Sequence, residues 1–104
     1  MEKDIVKRTF EFSVSIVGFV SHLRKTVEGR LIAKQLLRCG TSIGANVEES
    51  RSGSSRDDFV YKLNIALREA RETHYWLRLI NQSGLSTHKQ LDGLIDEADQ
   101  LRRI

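Results

Sequence analysis

The stretch from Phe59 to Ile80 carries two apolar seams on opposite sides of one helix, and this doubled pattern limits the chain more than any other feature. Phe59, Leu63, Ala66, Ala70, Thr73, Leu77 and Ile80 recur at alternating spacings of four and three, the stripe a helix presents to a bundle core. On the far side Tyr61, Ile65, Arg68, Glu72, Tyr75 and Leu79 repeat at the same spacing. They are mostly large and apolar, with Arg68 and Glu72 as an opposite-charge pair at i, i+4. A helix buried on one side only is polar on the other. The expectation is therefore that the first seam lies inside the subunit and the second lies against another subunit or partner. Arg68 and Glu72 then read as a specificity pair within that interface.

The chain has 104 residues, which fits one domain (1–104) with a core that needs neither disulfide nor structural metal. Proline is absent, and the 39% hydrophobic and 30% charged fractions suit a helix-rich globular protein rather than a disordered one. The stretch MEKDIVKRTFEF carries charges where a signal peptide needs its apolar core, and no apolar run is long enough to span a bilayer. The expected compartment is the cytoplasm. The single Cys39 agrees with that, because it sits in an apolar stretch and reads as a small buried residue rather than a reactive thiol.

Helix 1 is expected from about Asp4 to Lys25, with Val6, Phe10, Ile16, Val17, Phe19, Val20 and Leu23 on one broad buried face. Gly29 is expected to close it in the left-handed conformation. Helix 2 spans about Arg30 to Arg51 and buries Ile32, Leu36, Cys39, Ile43 and Val47. Gly40 and Gly44, a turn apart, each weaken a helix by about 0.5–1 kcal/mol relative to Ala, so another helix is expected to pass very close there. Gly53 ends helix 2. Ser54 or Ser55 caps helix 3, which runs to about Gln82 with Gly84 closing it. Ser86 or Thr87 caps a fourth helix that buries Leu91, Leu94, Ile95, Ala98 and Leu101. Four helices with short connections make an all-α, antiparallel up-down-up-down bundle.

Few residues suggest chemistry. His22, His74 and His88 have no carboxylate or second histidine at metal-ligand spacing, and no Glu-x-x-His pair supports a di-iron centre. His74 reads as a partly buried packing residue. No phosphate loop or nucleophile motif occurs, so no enzyme, metal, cofactor or small-molecule substrate is expected. Ser42, Asn46 and Glu49, beside the buried Ile43 and Val47, read as structural polar residues, with Asn46 placed to bond a neighbouring helix or Glu72. The formal charge is +3 and the isoelectric point about 9.3. Arg24, Lys25, Arg30, Lys34 and Arg38 cluster around the first turn and helix 2 with only Glu28 opposing them. That cluster is either solvated surface or a site for anions such as nucleic-acid phosphate. Asp92, Asp96, Glu97 and Asp99 make the last helix acidic.

The run from Arg38 through Cys39, Gly40, Thr41, Ser42, Ile43, Gly44, Ala45, Asn46, Val47 and Glu48 to Glu49 resembles the four helix bundle protein family that includes proteins encoded in intervening sequences of bacterial 23S rRNA genes. The likeness continues through Ser55 to Phe59, Lys62 to Ala70 and Glu72 to Leu77, covering helices 2 and 3. Where many members read Ala-Glu-Gly this chain has Glu48-Glu49-Ser50, so only Glu49 matches there. The resemblance implies an antiparallel four-helix bundle that assembles into a ring, commonly of five subunits. One relative is an accessory protein of diversity-generating retroelements, whose basic ring surface contacts nucleic acid and a reverse transcriptase. The leading expectation is thus a bacterial, non-enzymatic homo-oligomeric scaffold binding RNA or DNA through Arg24, Lys25, Arg30, Lys34 and Arg38. The competing one is a protein-interaction module whose partner sits on acidic helix 4 or in a ring groove.

Overall fold

Side-chain caps set where the two longest helices begin. In the computed structural model, which describes residues 4–53 and 55–104, the Thr26 hydroxyl accepts the Gly29 N–H at 3.0 Å and opens α2, Val27–Ser50. Ser55 accepts the Asp58 N–H at 3.0 Å and opens α3, Arg56–Ser83, with Asp57 and Asp58 complementing the positive end of the helix dipole. The alternative cap, Ser54, lies outside the described residues. α1, Ile5–Phe19, runs into a 3-10 turn at Val20–His22, and α4 is Leu91–Arg102. Gly84 closes α3 at φ +70° and Gly53 follows α2 at φ +87°; both stand at the helix ends where they were expected, in the left-handed region that glycine adopts without strain.

The four helices run up and down in an antiparallel bundle of 44 × 22 × 19 Å. α2 packs most extensively on α3, α1 lies against α2, and α4 lies against α3. α1 and α4 touch only lightly, and α1 and α3 stand diagonally across the core. Phe12, Ile16 and Phe19 of α1 meet Leu36, Ile43 and Val47 of α2, Ala66, Ala70, Leu77 and Ile80 of α3, and Leu94, Ala98 and Leu101 of α4. Thr9 and Thr73 are buried among them, each donating its hydroxyl to a carbonyl of its own helix, Ile5 at 2.8 Å and Glu69 at 2.7 Å. Ser50 is also buried, its hydroxyl bonded to the Val47 carbonyl at 2.6 Å.

The close helix approach expected at Gly40 and Gly44 is present. A Cβ on Gly40 would lie 2.9 Å from Ile16 Cγ1, and one on Gly44 would lie 3.0 Å from the Thr9 carbonyl oxygen. That contact also sets how α1 is rotated, and it corrects the expected face. Ile5, Thr9, Phe12, Ile16, Phe19 and Leu23 are buried, whereas Phe10 and Val17 point to solvent. Apolar residues surround most of α1, so periodicity alone ranks no face above another; the glycines of α2 decide by accepting Thr9 and Ile16.

Three boundaries also differ from expectation. Helix 2 starts three residues early, so Gly29 lies in its first turn and is not left-handed. A Cβ there would sit 2.0 Å from the Arg24 carbonyl oxygen, so the residue is small to let the preceding turn fold onto the helix. Helix 1 stops before Lys25. α4 begins at Leu91 because Ser86 and His88 cap a turn instead, accepting the N–H groups of His88 and Gln90 at 3.1 Å each.

Candidate interaction surfaces

Antiparallel topology brings the α1–α2 turn and the α3–α4 connection to the same end of the bundle. The Arg24 N–H donates to the Leu85 carbonyl at 2.9 Å, and the His22 and His88 rings stack with centroids 3.9 Å apart and planes 25° from parallel. Phe19 meets His88 edge-on from the core side, centroids 6.2 Å apart. Lys89 thereby joins Arg24, Lys25 and Arg30 at this end, where Glu28 and Asp92 oppose them. Among the described residues Lys25 and Arg30 reach only backbone oxygens, Ser21 at 3.3 Å and Lys25 at 3.1 Å. Lys34 is exposed further along α2.

His22, His88 and Lys89 were missed as members of this cluster because they lie far apart in sequence. The available signal was that both histidines flank connections that antiparallel packing places together.

Arg38 differs from the other cations. Its guanidinium donates to Glu69 at 3.3 Å, to Glu72 and to Gln35, while Trp76 Nε1 donates to the same Glu72 oxygen at 3.0 Å. Arg38 thus ties α2 to α3. Within one copy Glu72 is held by a guanidinium from α2 and by Trp76 one turn along α3, and Arg68 makes no ion pair with it. Arg68 is exposed.

The second seam of α3 faces outward. Tyr61 is 61% and Tyr75 49% exposed, and Ile65 and Leu79 are half-buried. Cations flank both tyrosines, Lys62 and Arg78 each 6.0 Å from the ring centroid.

Of the polar set on α2, Asn46 donates to Ser42 of its own helix, to the carbonyl at 2.8 Å and the hydroxyl at 3.0 Å. It bonds neither a neighbouring helix nor Glu72, and Glu49 points to solvent. A side chain at this angle on α2 finds its own preceding turn nearer than α3.

The acidic residues of α4 are largely engaged within the chain. Glu97 accepts Arg8 at 2.7 and 2.8 Å, Asp96 accepts Gln100, and Asp99 accepts Arg102 and Arg103. His74 is half-buried and lies 3.7 Å from Asp99. Burial and the charges of Arg102 and Arg78 hold its pKa below the usual imidazole value despite that carboxylate. Burial likewise pushes the Cys39 thiol up. Among the described residues no group of three or more His, Cys, Asp and Glu side chains could hold a metal ion, and no helix is long and apolar enough to cross a membrane.

The geometry has solved counterparts. A crystal structure of a protein of unknown function from the S23 ribosomal protein family of Bacteroides thetaiotaomicron VPI-5482 is 38% identical to this chain. The match covers 95% of this chain and 92% of that one, with a TM-score of 0.85. Among curated protein sequences nothing matches significantly. The family described as 23S rRNA-intervening sequence protein matches residues 1–104, the full length of the chain. With the resemblance read in helices 2 and 3 extended to all four helices, the chain belongs to the 23S rRNA-intervening sequence protein family.

Proposed function

We propose that this protein is a non-enzymatic, self-assembling helical scaffold that binds RNA or DNA through the phosphate backbone. The observation that carries the reading is the grouping of Arg24, Lys25, Arg30 and Lys89 around the stacked His22–His88 pair at one end of the bundle. Long hydrated cations that reach no carboxylate among the described residues suit the irregular spacing of phosphates. The outer face of the exposed His22 ring in this stack offers a surface on which an unpaired base can stack. Lys34 extends the positive strip along α2. Arg38, bound to Glu69 and Glu72, serves mainly to hold α2 on α3.

Self-assembly is supported by the outward tyrosine seam of α3, which a lone subunit leaves wet. A ring, five-membered by the family resemblance, sets several weak cationic ends side by side, so that they bind together. The engagement of Glu97, Asp96 and Asp99 within the chain counts against α4 as a docking site for a basic partner.

Fluorescence anisotropy with a structured RNA tests the nucleic-acid reading. The logarithm of the affinity should fall linearly with the logarithm of salt concentration. Lys25→Glu with Lys89→Glu should weaken binding about tenfold or more at moderate salt. Affinity that ignores both salt and the double charge reversal would rule the reading out.

A further inference from the structure

The two imidazoles that meet at the cationic end of the bundle have opposite surroundings. His88 is tied down. Its Nδ1 accepts the Gln90 N–H at 3.1 Å, its own backbone N–H donates to the Ser86 hydroxyl at 3.1 Å, and Phe19 meets the ring edge-on from the core. A ring nitrogen that accepts an N–H carries no proton, so His88 is the neutral tautomer with its hydrogen on Nε2. A second proton has only Nδ1 to enter, where it would break the Gln90 bond one residue before α4 begins. Desolvation, with the nearby charges of His22 and Lys89, acts in the same direction and holds the His88 pKa below the usual imidazole value.

His22 is free where His88 is held. It ends the 3-10 turn, its side chain is exposed, and among the described residues neither of its ring nitrogens makes a hydrogen bond. Its ring lies on that of His88 at 3.9 Å, 25° from parallel. An imidazolium laid on a neutral imidazole is attracted to the π face, whereas two imidazoliums at that distance repel. The pair therefore has room for one added proton, and its place is His22. Arg24 and Lys25 follow His22 in the turn, Glu28 and Arg30 stand near the start of α2, Lys89 is in the connection to α4, and Asp92 is in the first turn of α4. The last turn of α3, Ile80 to Ser83, brings no charge. Four cations against two carboxylates draw an anion to the pair.

We infer that a nucleic-acid phosphate docking at this end draws a solvent proton onto His22, so that binding and protonation are coupled, with His88 as the neutral platform beneath. The inference rests on the phosphate binding proposed above and adds its regulation. A phosphate beside His22 favours the charged ring over the neutral one. The imidazolium then donates from its edge to a phosphate oxygen, a charge-assisted bond, and its outer face stays open to a base. The sign follows from linkage: the bound state holds the proton more tightly, so affinity rises as pH falls through the range in which imidazole titrates. A single proton limits the gain to about tenfold per pH unit.

The test measures affinity of the full-length protein for a structured RNA by fluorescence anisotropy, at fixed salt, between about pH 8 and about pH 6. Affinity should climb as pH falls, by up to about tenfold per unit. His22→Gln removes the titrating ring, and His22→Phe keeps a flat ring that takes no proton; the slope should vanish in both. His74→Gln, which alters the imidazole beside Asp99 instead, should keep it. His22 is exposed, and circular dichroism at each pH verifies that the variants fold. Calorimetry of the unaltered protein in buffers of different ionisation heat counts the proton without any substitution, and uptake of up to one per occupied site is expected. A slope that persists in His22→Gln, or salt-dependent binding with neither slope nor proton uptake, overturns the coupling and leaves the phosphate reading standing. Binding that ignores both salt and the Lys25→Glu, Lys89→Glu reversal overturns both.

Discussion

Gly29 and Gly93 occupy helices for different reasons, and their substitutions should separate accordingly. Gly29 has the Arg24 carbonyl where a Cβ would go, at 2.0 Å, whereas Gly93 has nothing within 4 Å. Gly29→Ala should lower stability by about 2 kcal/mol, overpacking against backbone outweighing the better helix propensity. Gly93→Ala should raise it by about 0.5–1 kcal/mol. Urea unfolding of the two variants measures both signs.

His74 makes a second residue-scale case. Its folded pKa is depressed by burial and by Arg102 and Arg78, so the unfolded chain takes up a proton first as pH falls below the ordinary value of 6.5. The stabilising effect of a neutral His74 is present above that value and is lost as pH drops through it. Desolvation and His22 shift His88 the same way. Thermal melts from about pH 7.5 to about pH 5.5 should show stability falling, and falling less in a His74→Gln, His88→Gln double variant.

At the scale of single elements, α3 was the most legible part of the chain. Its inner seam, its Ser55 start and its Gly84 stop all stand where the spacing of apolar residues and the cap chemistry put them, because those signals act within a few residues of each other. Ser55→Ala should lower stability by about 1 kcal/mol by leaving the Asp58 N–H without its acceptor, read as a shifted denaturation midpoint with unchanged slope. α1 was less legible. Phe10 and Val17 are as hydrophobic as Phe12 and Ile16, and only contact with Gly40 and Gly44 selects which pair is buried. The polar contacts were hard to read for a related reason. Glu72 bonds Arg38 on another helix and not Arg68 on its own, and sequence spacing weighs only the second kind of partner.

For the whole molecule, the proposed self-assembly would link stability to concentration. If copies associate through the outward tyrosine seam of α3, the melting temperature should rise with protein concentration, because association stabilises only folded chains. Tyr61→Glu with Tyr75→Glu should abolish that dependence while leaving the melt of the dilute protein nearly unchanged. Differential scanning fluorimetry across a hundredfold dilution series checks both.

Sequence by itself determined the fold class, the family, the inner and outer seams of α3 and the close approach at Gly40 and Gly44, since each rests on periodicity or on residue size within one segment. Only the tertiary structure decided the rotation of α1, the use of Arg38 as a link between α2 and α3, and the meeting of His22 with His88 beside Lys89. The physical reason is common to all three: each depends on which surfaces come within contact distance after the helices pack, and that distance is not encoded in any local stretch of the chain.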